Sequence, residues 1–195
     1  IAPEAPVVPH LTYHELALLA QLGASVFHRD AVAPVVSPAI PIRVKNTNDI
    51  GAAGTLITAE RGGSAQPLVG VSGLPLVHKL KTSAGVGQLL KEIGIDHYGD
   101  LEGEAVYLIG HLSIEMRGAL SGRGLSFSPE RALVGLVGKG WRGDSPLGER
   151  IKTVLEEGDL PYTFDQGDDI VLIETAKECY KPLIRVLVDV LMEAL

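Results

Sequence analysis

The sequence has little of several things. It contains one cysteine in 195 residues, so a disulfide framework within the chain and a cysteine-based zinc site are both excluded. One tryptophan, three phenylalanines and five tyrosines are too few for base-stacking platforms or aromatic carbohydrate clefts. Basic residues are outnumbered, giving a net charge of −7, which argues against nucleic acid or an anionic membrane surface as partner. Long apolar runs are missing too: the stretch from Leu183 to Met192 is broken by Arg185 and Asp189 and is shorter than the ~20 residues that a membrane span needs. The N-terminus has neither the basic start nor the apolar block of a secretory signal, which makes the cytoplasm the expected location. The chain opens on Ile1 instead of methionine, which suggests a processed chain or a piece of a longer one.

Glycine, with 23 residues, is plentiful against a usual ~7%, and it punctuates a readable pattern. Residues 1–10 carry three prolines and read as an extended connector. Thr12-Tyr13-His14-Glu15 is a capping box that opens a helix, with Leu16, Leu19, Ala20 and Gly23 on one face and Gly23 as its stop. A short strand is expected at Val26–Phe27, a short helix from Asp30 to Val36, and strands over Ile40–Val44 and Thr55–Thr58. Residues 59–67 have a linker's composition. Beyond them a pattern appears twice. The first copy runs through a strand (Leu74–Leu80), a small-residue turn at 82–85, a helix with Val86, Leu89, Leu90 and Ile93 on one face, strands near Ile95–Tyr98 and over Ala105–Ile109, and a helix from Ser113 to Leu120. The second has a strand at Ala132–Val137, a glycine-rich turn at 138–143, a helix capped by Ser145 with Pro146 at its first position, strands at Pro161–Phe164 and Ile170–Glu174 around a turn at 165–168, and a helix from Lys177 to Ala194. The copies are offset by about 61–64 positions (Gly87 to Gly148, Tyr98 to Tyr162). Each reads β-α-β-β-α, a ferredoxin-like arrangement whose terminal strand is left to the partner copy or the linker. Two such units can pair edge to edge, hiding exposed strand edges.

Few residues carry recognisable chemistry. Gly138-Lys139-Gly140-Trp141-Arg142-Gly143 matches G-x-G-x-x-G, with Asp165 about twenty residues on. Its last glycine nevertheless precedes the cap Ser145, and only about fifty residues follow, too few for a dinucleotide-binding sheet. A turn that permits close backbone approach is the simpler reading. The six histidines show no paired metal spacing. Cys179 reads as a structural cysteine, and Glu156-Glu157 and Asp168-Asp169 as solvated faces. The turn Thr82-Ser83-Ala84-Gly85-Val86 offers free amides, two hydroxyls and a positive dipole end, a place suited to a carboxylate. No catalytic or metal site is expected.

Two stretches carry a resemblance. Leu11-Thr12-Tyr13-x-Glu15, Ala20-x-x-Gly23-Ala24-x-Val26-x-His28, Ile40-Pro41-Ile42-Arg43-Val44-Lys45-Asn46-Thr47 and Gly54-Thr55-Leu56-Ile57 resemble the end of the catalytic domain of aspartate kinases. Residues 68–195, through Ala132–Gly138 and the helix from Ser145 to Gly158, look like the tandem ACT regulatory domains that follow it. The resemblance implies an α/β (α+β) chain made of an incomplete amino-acid kinase domain (1–58), a linker (59–67) and two ferredoxin-like βαββα ACT units (68–127 and 128–195). It implies a parent enzyme that phosphorylates the β-carboxylate of aspartate with MgATP, and an ACT pair that senses lysine or threonine and builds a homodimer. The family's Lys-Phe-Gly-Gly phosphate motif and Thr-Asp-Pro stretch are missing from this chain, so it should be inactive alone, needing the remainder of the kinase domain and holding no cofactor itself. Thr82, Ser83, Gly85 and Val86 would hold the effector's carboxylate, with His97, Tyr98 and Glu104 nearby, and Asn48 would lie beside the nucleotide. The sequence departs from the family where Ile50 stands for a frequent proline, Arg29 for a usual proline, and Tyr98 for an acidic residue of some members. A free-standing ACT-type regulatory subunit with no ligand of its own is the alternative. Residues 11–58, lacking the rest of a large parallel sheet, should be poorly covered.

Overall fold

The computed structural model describes residues 5, 7–24, 34–60, 70–80, 86–99, 106–138, 145–159, 163–166 and 169–193, and of 163–166 the backbone alone. It holds two sheets. The smaller comprises β1 (His10–Thr12), β2 (Ile42–Val44) and β3 (Thr55–Thr58) in the order β1-β3-β2, with β1 parallel and β2 antiparallel to β3. Helix α1 (Tyr13–Gln21) follows β1 without a break because Thr12 serves both elements. Its hydroxyl accepts from the Glu15 amide at 3.2 Å while the Glu15 carboxylate accepts from the Thr12 amide at 2.8 Å. The capping box is therefore complete, and it is buried. At the other end Gly23, at φ +83°, turns the chain. The Ala24 amide reaches back to the Leu19 carbonyl at 3.0 Å, satisfying an otherwise orphaned acceptor.

The larger sheet has six strands, all paired antiparallel, in the order β5-β6-β4-β7-β9-β8. The first unit supplies β4 (Gly70–Leu80), α2 (Val86–Glu92), β5 (His97–Tyr98), β6 (Val106–Ile109) and α3 (Ile114–Ser121). The second supplies β7 (Arg131–Val137), α4 (Pro146–Glu157), β8 (Thr163–Gln166), β9 (Ile170–Thr175), a 3-10 turn at Lys177–Cys179 and α5 (Tyr180–Glu193). The fourth-strand position of each unit is filled by the first strand of the other, β7 for β4 and β4 for β7. The handover begins before β7: Phe127 already bridges Leu80, and the Ser128 amide donates to the Lys79 carbonyl at 2.8 Å. Exposed Pro75 interrupts the seam. It has no N–H for the ladder, and the register shifts by one residue between Leu74 and Val77, a bulge where a strand proline belongs. The bulge resets the alternation, so Leu74 and Val77 share a face.

All four helices of the repeat cover one side of this sheet. Val134, Leu136, Val171 and Ile173 pack under α4 and α5, with Ile151, Leu155, Leu183 and Leu187. Leu80, Val106 and Leu108 pack under α2 and α3, with Leu89, Leu90 and Leu120. The other side carries Leu74, Val77, Tyr98, Tyr107, Leu133, Val137 and Leu172, and α1 lies across part of it. Leu22 is fully buried there. Gly135 has no side chain to oppose it; a Cβ on Gly135 would fall 2.1 Å from a Leu22 methyl. Ser72 Oγ donates to the Leu22 carbonyl at 3.0 Å. Opposite, the Tyr180 hydroxyl donates to the Gly73 carbonyl at 2.8 Å, and a Cβ on Gly73 would meet the Tyr180 ring at 3.0 Å. The central pair β4–β7 is thus gripped from both faces.

Several expectations from sequence need correction. His10, the last residue of the expected connector, opens a strand that runs to Thr12, because β3 offers its edge there. Asp165 and Gln166 continue β8, since they pair with Leu172 and Val171, so the turn between β8 and β9 starts later than 165. The last helix opens as a 3-10 turn at Lys177. Pro182 cannot donate to the carbonyl four residues back and its ring crowds it, which suits a tightened first turn. The first unit's leading strand starts at Gly70, ahead of Leu74, and its second is confined to His97–Tyr98. Residues 34–36 are helical. The expected strand at 26–27, the start of that helix at 30–33, most of the 59–67 linker and most of the 138–143 turn lie outside the described residues. The 10–58 segment has a small core of Leu11, Tyr13, Leu16 and Ile57. Beside it runs an apolar groove of ≈ 150 Å³ between α1, β2 and β3, and Val7, Val36, Ile40 and Ile50 are exposed. Among the described residues the segment is therefore incompletely covered, as expected.

Leu22→Ala should destabilise the chain by about 2–5 kcal/mol, the cost of a cavity at a fully buried leucine. Chemical denaturation measures it, and α1 amides should lose hydrogen-exchange protection before those of β4.

Candidate functional site

The residues marked by the sequence fall in three places. Val86, buried, is the first residue of α2 and belongs to the core beneath it. The helix holds because Val86, Leu89 and Leu90 face the sheet. It stops where Gly94 takes φ +68° and the Ile95 amide returns to the Leu90 carbonyl at 2.9 Å. Thr82, Ser83, Gly85 and Glu104 lie outside the described residues. His97 and Tyr98 form the edge strand β5, paired opposite Leu108 and Tyr107. Leu108 belongs to the helix-side core and Tyr107 to the opposite one. His97 therefore shares the side of Val86, whereas Tyr98 shares the far side, its ring 6.4 Å from that of Tyr107. The structure thus joins Val86 and His97 on one face and separates Tyr98 from them, because consecutive strand residues point to opposite faces.

Asn48 sits in the exposed loop between β2 and β3, its amide held by Asn46 Oδ1 at 3.0 Å. Two basic residues are turned onto the backbone of that loop: Arg43 of β2 donates to the Ala53 carbonyl at 2.9 Å and Lys45 to the Ile50 carbonyl at 2.6 Å. Gly54, at φ +68°, closes the loop where a Cβ would lie 2.1 Å from the Val44 carbonyl oxygen. Among the described residues no three His, Cys, Asp or Glu side chains converge as a metal site, and the two cations at this loop serve carbonyls.

Two polar clusters escaped the sequence reading. On the helix side, where the two units meet, Lys177 donates to Glu130 at 2.6 Å and His111 stands 3.6 Å from the same carboxylate. Fully buried His78 lies behind, with Nδ1 at 3.0 Å from the Ser128 carbonyl and its ring edge-on to Phe127. On the opposite side Glu174 gathers Arg131, Lys79 and Tyr107. Both clusters assemble from strands or loops far apart in sequence, so no local motif announces them. The available signal is a charged residue at the end of an otherwise apolar strand, as in Arg131 before Ala132–Val137.

No family model matches the sequence. Over 65 residues the chain is 38% identical to aspartokinase 3 of Bacillus subtilis, a stretch that is 33% of this chain and 14% of that protein. The structure of Clostridium acetobutylicum aspartate kinase superposes on 98% of this chain and 50% of its own, with TM-score 0.76 and 21% identity. That of E. coli aspartokinase III in complex with lysine and aspartate (T-state) covers 94% of this chain and 46% of its own, with TM-score 0.66 and 19% identity. The chain spans about half the length of these solved structures and a smaller share of the curated relative. The fold is that of tandem ACT-type βαββα units preceded by a small α/β segment. In fold over nearly its whole length, and in sequence over a third of it, the chain resembles part of an aspartokinase.

The hydrogen bond from Lys177 holds the Glu130 carboxyl below its ordinary value of 4.5; desolvation opposes it, and the charges of Lys177, His111 and His78 add to the lowering. A carboxyl lowered in the folded state contributes stability above its unfolded value, lost as pH falls through the folded one. Glu130→Gln should therefore lower stability at neutral pH and flatten its fall with acidification below about pH 4.5, so that the variant and the natural chain converge in acid. Urea titrations across that range check it.

Proposed function

We propose that this chain is the regulatory portion of an aspartate kinase of lysine, threonine and methionine biosynthesis. In this reading it binds an amino-acid effector at its ACT units, dimerises through them and works in the cytoplasm. The observation that carries the reading is the match of nearly the whole chain to aspartate kinase at TM-score 0.76, with shared sequence at 38% identity in one stretch. Lysine and threonine are the leading effectors, and lysine is present in one of the similar structures. Phosphoryl transfer, with MgATP, falls to the remainder of the kinase domain. The effector site comprises Thr82, Ser83, Gly85 and Val86 for the carboxylate, with His97 and Glu104 beside it. Tyr98 lies on the other side of the sheet, and its part is to pack against Tyr107 and hold β5 in place.

The mechanism is thermodynamic linkage. An effector that binds one arrangement of the units better than another shifts their population, and a coupling of ~1–3 kcal/mol changes affinity or activity by about 5–150-fold. Helix α1 of the kinase-like segment rests on β4 and β7 through Leu22, Ser72 and Gly135. A shift at the seam between the units is therefore felt directly by that segment. Calorimetric titration of the folded chain with lysine, threonine and methionine tests the reading. Saturable heat with lysine or threonine, weakened by a substitution at Ser83, is the expected result. Flat traces for all three would remove the sensing role from this chain.

A further inference from the structure

The side of the large sheet away from its four helices carries a charged cluster that the proposed regulatory reading does not use. Glu174 on β9, Arg131 at the head of β7 and Lys79 near the end of β4 all point to this side. Arg131 Nε donates to Glu174 Oε1 at 3.2 Å, Lys79 Nζ stands 3.6 Å from Oε2, and the Tyr107 hydroxyl donates to Oε2 at 3.4 Å. The carboxylate is the inner member, with its side chain 13% exposed, and the cations are the outer ones, at 30% for Arg131 and 40% for Lys79. Lys79 lies 5.6 Å above the Tyr107 ring, which fixes its ammonium over an aromatic face.

The hydrogen-bond inventory does not close. Arginine offers five N–H donors and lysine three. Among the described residues Arg131 engages only its Nε, and Lys79 has only Glu174 and the ring as partners. The two Nη groups of Arg131 and the outward protons of Lys79 have no protein acceptor there. Two positive charges also share one negative, in a chain whose net charge is −7. We propose that Lys79 and Arg131 form a binding site for a small oxyanion, a carboxylate or a phosphate group. The oxyanion would take the Nη pair of Arg131 in the bidentate geometry that planar guanidinium favours, with Lys79 as its second ligand and Glu174 holding both cations in position from beneath. Lys79 belongs to the first ACT-type unit and Arg131 to the second, so an occupant would tie the two units together across β4–β7. This site is on the opposite face from Val86 and His97 and is independent of the effector reading.

The test uses the whole chain at constant ionic strength, titrated separately with inorganic phosphate and with acetate. The readout is the NMR signal of the Arg131 side-chain N–H together with the backbone amides of β4, β7 and β9. A saturable shift centred on Lys79, Arg131 and Glu174 is expected. Arg131→Gln should weaken it by about tenfold or more, through loss of the bidentate pair of charged hydrogen bonds. Glu174→Gln should tighten binding by freeing both cations from their internal partner. Saturation by phosphate alone assigns a phosphoryl ligand, and saturation by acetate assigns a carboxylate. Lys79→Gln supplies the same readout should the arginine variant fail to fold. No saturable shift with either anion, or a shift that survives both Arg131→Gln and Lys79→Gln, overturns the proposal.

Discussion

The antiparallel pairing of β4 with β7 is the constraint on which the remaining architecture depends. Each unit brings three strands and needs a fourth beside its first, and each supplies that neighbour to the other. Without this pairing both units would expose a long edge rich in valine and leucine, an invitation to association with other chains. The same pair carries the landing place of α1 on one side and the Tyr180 hydroxyl bond on the other. It also aligns Lys79 with Arg131 and Glu174, residues of different units. Disturbance of this one ladder would reach the N-terminal segment, the helix layer and both polar clusters.

Glycine makes the close approaches possible. Gly135 gives its side-chain volume to Leu22, and Gly73 gives its own to Tyr180. These are positions inside strands, where glycine ordinarily weakens pairing. Here it trades strand propensity for the contact of a helix on each face of one strand pair. Under the proposed regulatory role this geometry is what an allosteric element requires: two packed units and a third segment whose positions are set by the same few contacts, so that none can shift alone.

Much of this was legible in the sequence where the chemistry is local. The capping box at Thr12 and Glu15, the cap at Ser145, Pro146 at a helix start and the stops at Gly23 and Gly94 all formed as their residue types dictate. The repeat was legible too, because each copy restates the same alternation and the same glycine punctuation. What stayed hidden depends on partners distant in the chain. β1 exists because β3, more than forty residues on, offers an edge; β8 runs through Asp165 and Gln166 because β9 pairs with them. The face taken by Tyr98 follows from its register against Tyr107, which no single-strand pattern fixes at two residues' length. The Glu174 cluster draws on four strands, and its members look like isolated surface charges until the sheet order brings them together.

The central claim, that the two units form one sheet through β4 and β7 and act as one body, is tested most directly by native-state hydrogen exchange followed residue by residue in low denaturant. The account predicts that the amides of β4, β7 and β9 share one high opening free energy and one denaturant dependence, the slowest among the described strands. Separate openings, with β4 and β6 exchanging at one free energy while β7 and β9 exchange at another, would contradict it.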